Sequence, residues 1–245
     1  ILMTNELTCF QAYDVRGQIG VNFDEDICYR IGRAFALVTN AKKVVVGQDS
    51  RRSSPALASS LVQALIDEGV TVLDIGLAGT EEMYWATTQF QACGGIEITA
   101  SHNPINYNGL KMVKAASCPL DPDTELIKIK KFAEENQFDK HKKFGERQDI
   151  SQQARLLYVN KVLSFIDPGL LQPLKIAVNC GNGAAGPTFD AIMRKLALDR
   201  NCLICSRIDH EPDSSFPNGI PNPLLVENHK KNKDLVLRTG SDFGV

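Results

Sequence analysis

One loop of the sequence places a hydroxyl, an imidazole and a carboxamide on three consecutive residues. Residues 99–104 read Thr-Ala-Ser-His-Asn-Pro and follow an apolar run. Ser101 offers a hydroxyl, His102 can move a proton or carry positive charge, and Asn103 with the following proline favours a turn. A serine is a weak nucleophile near neutral pH unless a base activates it or a charged group is already attached to it. The loop is therefore either an ordinary polar turn or the reactive part of a site.

The segments around this loop predict an α/β arrangement. Runs rich in apolar and β-branched residues predict strands at residues 43–47, 70–75 and 94–99, and helical apolar spacing predicts helices at residues 55–68 and 81–91. Strand, helix, strand, helix, strand implies parallel strands joined by right-handed crossovers. Ligands bind beyond the carboxyl ends of such strands, and loop 99–104 lies at that edge.

Both predicted helices have recognisable start signals. Ser53 or Ser54 is expected to cap the first helix, with Pro55 at its first position. Thr80 is expected to cap the second, which has two acidic residues in its first turn. Gly69 is expected to end the first helix.

The same alternation begins again in the second half of the chain. Residues 121–136 predict a helix, and residues 137–152 are polar without a clear period and predict a connection. Further helices are expected at residues 154–166, 187–198 and 225–238, and strands at residues 174–178, 202–208 and 242–245. The sequence thus predicts the α/β class with two consecutive domains, at residues 1–150 and 151–245. Because the last strand has only begun at Val245, we expect the natural protein to continue.

The composition is that of an ordinary globular protein. The 245 residues are 43% hydrophobic and 23% charged, with a net charge of −2. This balance does not favour nucleic acid as a partner, and the apolar runs are too short for a membrane span. No secretory signal is recognisable, and the seven cysteines are scattered, which favours free thiols in a reducing cytoplasm.

Two other patterns support different interpretations. Residues 181–186 read Gly-Asn-Gly-Ala-Ala-Gly between a strand and a helix, and Asp209 follows near the end of the next strand. This is a dinucleotide fingerprint and allows an NAD-binding oxidoreductase domain as an alternative. Cys202 and Cys205 have a Cys-x-x-Cys spacing, but in a strand they point to opposite faces, which does not favour a metal or redox pair. A sugar-phosphate binder without catalytic activity is a further alternative.

Five separated segments, in order, resemble the α-D-phosphohexomutases. They are residues 12–17 (Ala-Tyr-Asp-Val-Arg-Gly), 47–51 (Gly-Gln-Asp-Ser-Arg), 99–104, 107–111 (Tyr-Asn-Gly-Leu-Lys) and 217–224 (Pro-Asn-Gly-Ile-Pro-Asn-Pro-Leu). The resemblance implies the first two domains of that family, with mixed, mainly parallel sheets flanked by helices. It also implies that Ser101 is carried as phosphoserine, and that residues 181–186 open a helix without binding a dinucleotide.

The resemblance also assigns roles around Ser101. A phosphoserine carries about −1.5 to −2 charges near pH 7, so transfer to a second phosphate requires cations. Arg16, His102 and Lys111 are the catalytic cations that it implies, and these three with Tyr13 and Asn103 are the implied substrate and phosphate contacts. It further implies Mg²⁺ bound through the phosphate on Ser101, with the other metal ligands beyond Val245, and a hexose 1,6-bisphosphate as activator and intermediate. The chain as given is therefore expected to be inactive by itself.

Residues 79–84 refine the expected substrate. They read Gly-Thr-Glu-Glu-Met-Tyr and resemble the bacterial phosphomannomutases that feed GDP-mannose synthesis. This resemblance implies a cytoplasmic isomerase that interconverts mannose 6-phosphate and mannose 1-phosphate. A phosphoglucomutase or dual-specificity enzyme is the alternative. The expected partner is the sugar phosphate, with no nucleic acid or membrane, and the sequence leaves the oligomeric state open.

Overall fold

A computed structural model describes residues 6–139, 144–199 and 202–245 of the protein. The chain divides into two compact units. The first comprises Ile1–Ser101 and Asn106–Ala154, and the second comprises His102–Ile105 and Arg155–Val245.

The first unit is built on a mixed, mainly parallel sheet. Its strand order is β1-β5-β4-β2-β3-β7, and a short strand, β6, pairs with β5. The strands β4, β2, β3 and β7 run parallel, whereas β5 is antiparallel to both β4 and β1. Their bounds are β1 Val15–Gln18, β2 Lys43–Gln48, β3 Thr71–Leu77, β4 Gly94–Ile98, β5 Tyr107–Lys114, β6 Cys118–Pro119 and β7 Glu146–Asp149.

Helices cover both faces of this sheet. Because side chains alternate along each strand, the hydrophobic core is divided into two clusters, one on each face. The helices are α1 Glu25–Val38, α2 Ser54–Asp67, α3 Thr80–Gln89, α4 Ile127–Glu135 and α5 Ser151–Leu163, the last of which ends in the second unit. On β4, Ile96 and Ile98 join the core formed with α1, α2 and α4. The alternate residues of β4 face α3, since a methyl group at Gly95 would overlap Thr87 and Met83 of that helix.

The strands and helices flanking loop 99–104 confirm the predicted order, but their capping differs. Gly79, not Thr80, occupies the N-cap position of α3, and Thr80 is already helical. Ser53 precedes α2 without a capping hydrogen bond from its side chain. Asn108 Nδ2 instead donates to Ser53 Oγ (2.8 Å) and Ser54 Oγ (2.9 Å), so the serines tie α2 to β5.

Residues 137–152 contain a strand, so the prediction of a plain connection was wrong there. The strand β7 reads Glu-Arg-Gln-Asp and pairs in parallel with the edge of β3. Arg147 also donates to Asp74 on β3, with Nε 2.8 Å from Oδ2. Backbone pairing and this ion pair stabilise a strand that has no apolar residue, while residues 140–143 lie outside the described residues. The predicted helix at 121–136 begins with a π-helical turn, Pro122–Leu126, before α4, and the Asp121 side chain caps this turn.

The second unit contains a three-stranded parallel sheet. The strand order is β10-β8-β9, with β8 Leu174–Asn179 in the centre, β9 Leu203–Ile208 and β10 Phe243–Gly244. The helices α6 Ala185–Asp199 and α7 Val226–Thr239 complete the alternation that the sequence predicts, with bounds that differ by one to two residues.

Two further features bear on the sequence-based expectations. All seven cysteines are free thiols. Among the described residues, we find no helix with both the length and the apolar content needed to cross a membrane.

Candidate active site

Loop 99–104 has a backbone conformation that its neighbours hold in place. Ser101 adopts φ 52°, a left-handed conformation that is uncommon for a residue with a side chain. Its amide donates to Thr99 Oγ1 at 2.9 Å, and its side chain is exposed at the surface of the unit. A non-glycine residue in this conformation persists when surrounding contacts fix it, and such residues concentrate at functional sites.

Two arginines supply those contacts by binding consecutive carbonyl groups of the loop. Arg16 Nη1 donates to the carbonyl oxygen of Ala100 at 2.6 Å, and Arg51 Nη2 donates to that of Ser101 at 2.9 Å. Arg51 also donates through Nη1 to the carbonyl of Tyr107, at 3.1 Å, where the chain enters β5. The two guanidinium groups therefore fix the loop from both ends and place positive charge directly beneath it.

Arg51 is a fully buried cation, with a side chain that is 1% exposed. Asp49 compensates its charge, with Oδ2 3.4 Å from Arg51 Nε and Oδ1 accepting from the Arg51 amide at 3.0 Å. Ser54 Oγ donates to the same Asp49 oxygen at 2.5 Å. Sequence reasoning quoted residues 47–51 as a motif but gave neither Asp49 nor Arg51 a role in the site.

A second carboxylate joins Arg16 to Lys111. Asp14 Oδ2 accepts from Arg16 Nη2 at 2.7 Å and lies 3.6 Å from Lys111 Nζ. The neighbouring strands β1 and β5 position these residues, since Arg16 pairs with Gly109 across the sheet. Arg16 is largely buried, whereas the Lys111 side chain is 29% exposed. Asp14 thus orients both predicted cations, and sequence reasoning did not select it.

A buried acid lies on β4, in the same sheet. Glu97 on β4 is fully buried, and neither of its carboxyl oxygens has a hydrogen-bond partner among the described residues. Burial and the nearby charge of Asp49 raise the pKa of Glu97 well above its usual range, which favours the protonated form. A methyl group at Gly47 on β2 would overlap the Glu97 carboxyl, so the glycine makes room for it. The sequence signal was an acid between two isoleucines in a buried strand.

A cavity of about 470 Å³ opens beside Lys111. Asp14, Tyr13 and Tyr84 are among the residues that line it, and the Tyr13 side chain is highly exposed. Burial and the charge of Asp14 raise the pKa of Tyr84, which keeps its phenol protonated as a hydrogen-bond donor. An anionic group in this cavity would meet Lys111 and two phenols.

The structure brings together part of the predicted site. Arg16, Lys111 and the Ser101 backbone belong to one network in the first unit, and Tyr13 lies at the cavity beside it. His102 is exposed and Asn103 half-buried, directly after Ser101 in the chain, and both are grouped with the second unit.

The glycines of residues 181–186 have a packing explanation. A methyl group at Gly181 would overlap Pro221, and one at Gly186 would overlap the carbonyl oxygen of His210. Gly181 also has φ 58°, which favours glycine. Protein atoms therefore occupy the space that these glycines leave open.

Comparison with known proteins defines the class of this chain. Models of phosphoglucomutase/phosphomannomutase alpha/beta/alpha domain I and domain II match residues 8–140 and 157–245, respectively. The chain therefore belongs to the phosphoglucomutase/phosphomannomutase family, as the sequence resemblance predicts.

Particular relatives are similar over nearly the whole chain. It is 44% identical over 243 residues to a phosphomannomutase of Escherichia coli, covering 98% of this chain and 53% of the relative. It is 42% identical over 245 residues to a phosphomannomutase of Vibrio cholerae, covering 98% and 52%. A solved structure of a phosphoglucomutase/phosphomannomutase family protein from Burkholderia thailandensis matches with a TM-score of 0.81 and 30% identity, covering 96% of this chain and 51% of that one. The chain spans about half the length of the curated relatives it matches.

Proposed function

We propose that this chain carries the phosphate of a cytoplasmic phosphomannomutase, with Ser101 as the phosphorylated residue. The observation that carries the proposal is the exposed Ser101 side chain on a loop in which the carbonyls of Ala100 and Ser101 accept hydrogen bonds from Arg16 and Arg51. Cations fixed beneath a loop stabilise a dianionic group on it without reorganising during the reaction. The similarity to phosphomannomutases at 44% identity supports mannose phosphates as substrates.

In the proposed reaction, the bond between phosphorus and Ser101 Oγ breaks as a new bond forms to a hydroxyl of the sugar phosphate. The resulting hexose 1,6-bisphosphate reorients and returns its other phosphate to Ser101. Lys111, oriented by Asp14, either holds the transferring phosphate or moves the proton of the attacking sugar hydroxyl. We propose that His102 and Asn103 beside Ser101, together with Tyr13 at the cavity, contact the substrate.

The described residues can supply only part of the ligand set that Mg²⁺ requires. The exposed Ser101 side chain can present a phosphate oxygen to a metal. Asp14 and Asp49, the carboxylates that contact the loop's arginines, are each engaged by a cation. We therefore propose that Ser101 phosphate supplies one ligand and that residues outside this chain supply the others. When bound, the ion neutralises charge that develops between the two phosphates.

A coupled mutase assay on the whole protein tests the proposal. With Mg²⁺ and a hexose 1,6-bisphosphate present, we expect a higher kcat/KM for mannose 1-phosphate than for glucose 1-phosphate. Ser101→Ala should lower kcat by about 1,000-fold, equivalent to about 4 kcal/mol of transition-state stabilisation. Ser59→Ala, at an exposed position of α2, is the matched control and should retain activity. Full turnover by Ser101→Ala would reject the role of the loop, and a preference for glucose 1-phosphate would favour the alternative substrate.

A further inference from the structure

A group of metal-binding side chains lies in the second unit, separate from loop 99–104 in sequence and role. Asp190 on α6, and His210 and Glu211 after β9, place one ligand atom each within 4.8 Å of one another. His210 is mostly buried, with a side chain that is 12% exposed, and Asp190 is half-buried. The function proposed above does not use any of these residues.

The geometry at His210 distinguishes this group from an ordinary ion pair. His210 Nε2 lies 3.0 Å from Asp190 Oδ2. However, this buried nitrogen has no partner among the described residues that satisfies hydrogen-bond geometry, although the carboxylate oxygen is within hydrogen-bond distance. Two ligands bound to one tetrahedral metal at about 2.0–2.2 Å are themselves about 3.3–3.6 Å apart. The spacing of the two atoms is therefore within a few tenths of an ångström of that of neighbouring ligands.

Surrounding contacts hold the group in place. Cys180 Sγ lies 3.4 Å from His210 Nδ1, so the second ring nitrogen has a partner that can accept its proton. When Nδ1 carries the ring proton, Nε2 is available for a metal, as is common for histidines that bind metals. Arg207 Nε lies 3.4 Å from Asp190 Oδ1, which leaves Oδ2 for the site.

The backbone around the group is also constrained. Asn182 Nδ2 donates to the carbonyl oxygen of Glu211 at 2.9 Å. The absence of a side chain at Gly186 lets the chain at His210 approach the start of α6 closely. The loop that carries His210 and Glu211 is thus held against the helix that carries Asp190.

We propose that Asp190, His210 and Glu211 bind a zinc ion that links the loop after β9 to α6. One imidazole and two carboxylates suit Zn²⁺, whereas Mg²⁺ and Ca²⁺ prefer oxygen ligands alone. Glu211 is exposed, so the site is open to solvent on that side and a water molecule completes a four-coordinate shell. The three residues form no spacing motif in the sequence, and only the fold brings Asp190 to the other two.

Zinc titration of the chelator-treated protein tests this site, with a chromophoric zinc indicator as competitor. We expect one equivalent of Zn²⁺ to bind. Glu211→Gln should weaken binding at least tenfold, and His210→Ala should weaken it at least a hundredfold. His229→Ala is the matched control, because this exposed histidine on α7 lies outside the group, with Nε2 2.8 Å from the carbonyl oxygen of Pro223, and the variant should retain full affinity. Glu211→Gln changes an exposed side chain, so its folding is expected to be unaffected.

Cobalt substitution tests the ligand set independently of any mutase activity. Co²⁺ bound through nitrogen and oxygen should give d–d absorption without a sulfur charge-transfer band. A sulfur band that disappears in Cys180→Ser would overturn the assigned ligands. Equal zinc affinity of the wild type and His210→Ala, or no binding at micromolar zinc, would overturn the site itself.

Discussion

Two loops of this chain follow parallel strands and contain residues with positive φ, but they differ in the residues that contact them. In the loop after β4, Ser101 has φ 52° and its side chain is exposed, while Arg16 and Arg51 hold the carbonyls of the loop. In the loop after β8, Gly181 has φ 58° and lies against Pro221. The first loop exposes the Ser101 side chain above two arginine side chains. In the second loop, the space beside Gly181 is filled by Pro221 of the same chain.

The comparison shows that the function of a sequence motif depends on the residues that contact it in the fold. The glycine pattern of residues 181–186 matches a dinucleotide fingerprint in spacing and in its strand–helix context. In the structure, Pro221 fills the space beside Gly181 and the His210 carbonyl fills the space beside Gly186, where a dinucleotide would have to approach the backbone. The polar turn at residues 99–104 has a less regular pattern, but its carbonyls have charged partners from two other parts of the chain.

Of the substitutions that test this difference between the two loops, removal of the buried Arg51 side chain should have the largest effect on stability. Arg51→Ala removes the cation beside Asp49 and the side-chain donor to the carbonyls of Ser101 and Tyr107, in a buried region. We expect a loss of about 3–5 kcal/mol in the free energy of unfolding, together with loss of mutase turnover. Denaturant unfolding measures the first effect. Arg52→Ala changes the exposed neighbouring arginine and should change stability by less than about 0.5 kcal/mol. Equal stability of the two variants would show that Arg51 does not brace the loop.

Replacing a glycine of residues 181–186 by alanine should have a smaller effect, on the stability of the second unit. Gly186→Ala places a methyl group against the His210 carbonyl and should destabilise the second unit by about 1–3 kcal/mol. At Gly183 the nearest atom to an added methyl group is the Cys180 carbonyl oxygen, at 3.4 Å, so Gly183→Ala is the tolerated control. Thermal unfolding of both variants measures the difference. NADH binding that Gly183→Ala abolishes without loss of stability would restore the dinucleotide interpretation.

Lys111 should affect activity more than stability, in contrast to Arg51. Its side chain is partly exposed and contacts Asp14 at 3.6 Å, so Lys111→Ala removes little packing. We expect turnover of the whole protein to fall at least tenfold, about 1.4 kcal/mol, with a small change in melting temperature. Lys114→Ala, on the same strand and paired with Glu125, is the control for loss of a lysine from β5. If both variants lose the same activity, Lys111 has no special role.

Glu97 should give the first unit a pH dependence that begins in the acidic range. Because the folded-state pKa is raised above the unfolded value, stability should decrease as pH rises from about 4.3 through the folded pKa. The groups that act on Glu97 are Asp49, Glu82 and Glu81, whose negative charges favour the protonated form.

Glu97→Gln should therefore be more stable than the wild type at alkaline pH and should flatten this part of the profile. Denaturant unfolding of both proteins across the pH range measures the effect. Glu81→Gln changes an exposed acid near the start of α3 and should keep most of the wild-type slope. A wild-type slope in Glu97→Gln would place the ionisation on another residue.

The sequence predicts those parts of the fold whose signal is local. The β-branched run of β2 and the apolar spacing of α2 each suffice for their own assignment. The sequence does not predict β5, which begins Tyr-Asn-Gly and carries lysines, and it does not predict α1. The strand β7 depends on pairing with β3, a long-range interaction that the residues Glu-Arg-Gln-Asp do not signal.

The candidate site divides in the same way. Ser101, Arg16 and Lys111 could be selected because they belong to recognisable segments. Asp14 orients two cations, Arg51 binds loop carbonyls from a buried position, and Glu97 is buried without a hydrogen-bond partner among the described residues. Those properties exist only once β1, β2, β4 and β5 lie in one sheet. The zinc group has the same origin, since α6 and the end of β9 meet only in the fold.

The central claim, that the braced loop carries phosphate, is tested most directly by mapping where phosphate becomes attached. The whole protein is incubated with a hexose 1,6-bisphosphate that carries isotope-labelled phosphate, digested, and analysed by mass spectrometry, with Ser101→Ala treated in parallel. The account predicts one labelled phosphopeptide, with the label on Ser101, and none in the variant. Label on a different residue of the wild type, or label retained by Ser101→Ala, would contradict it.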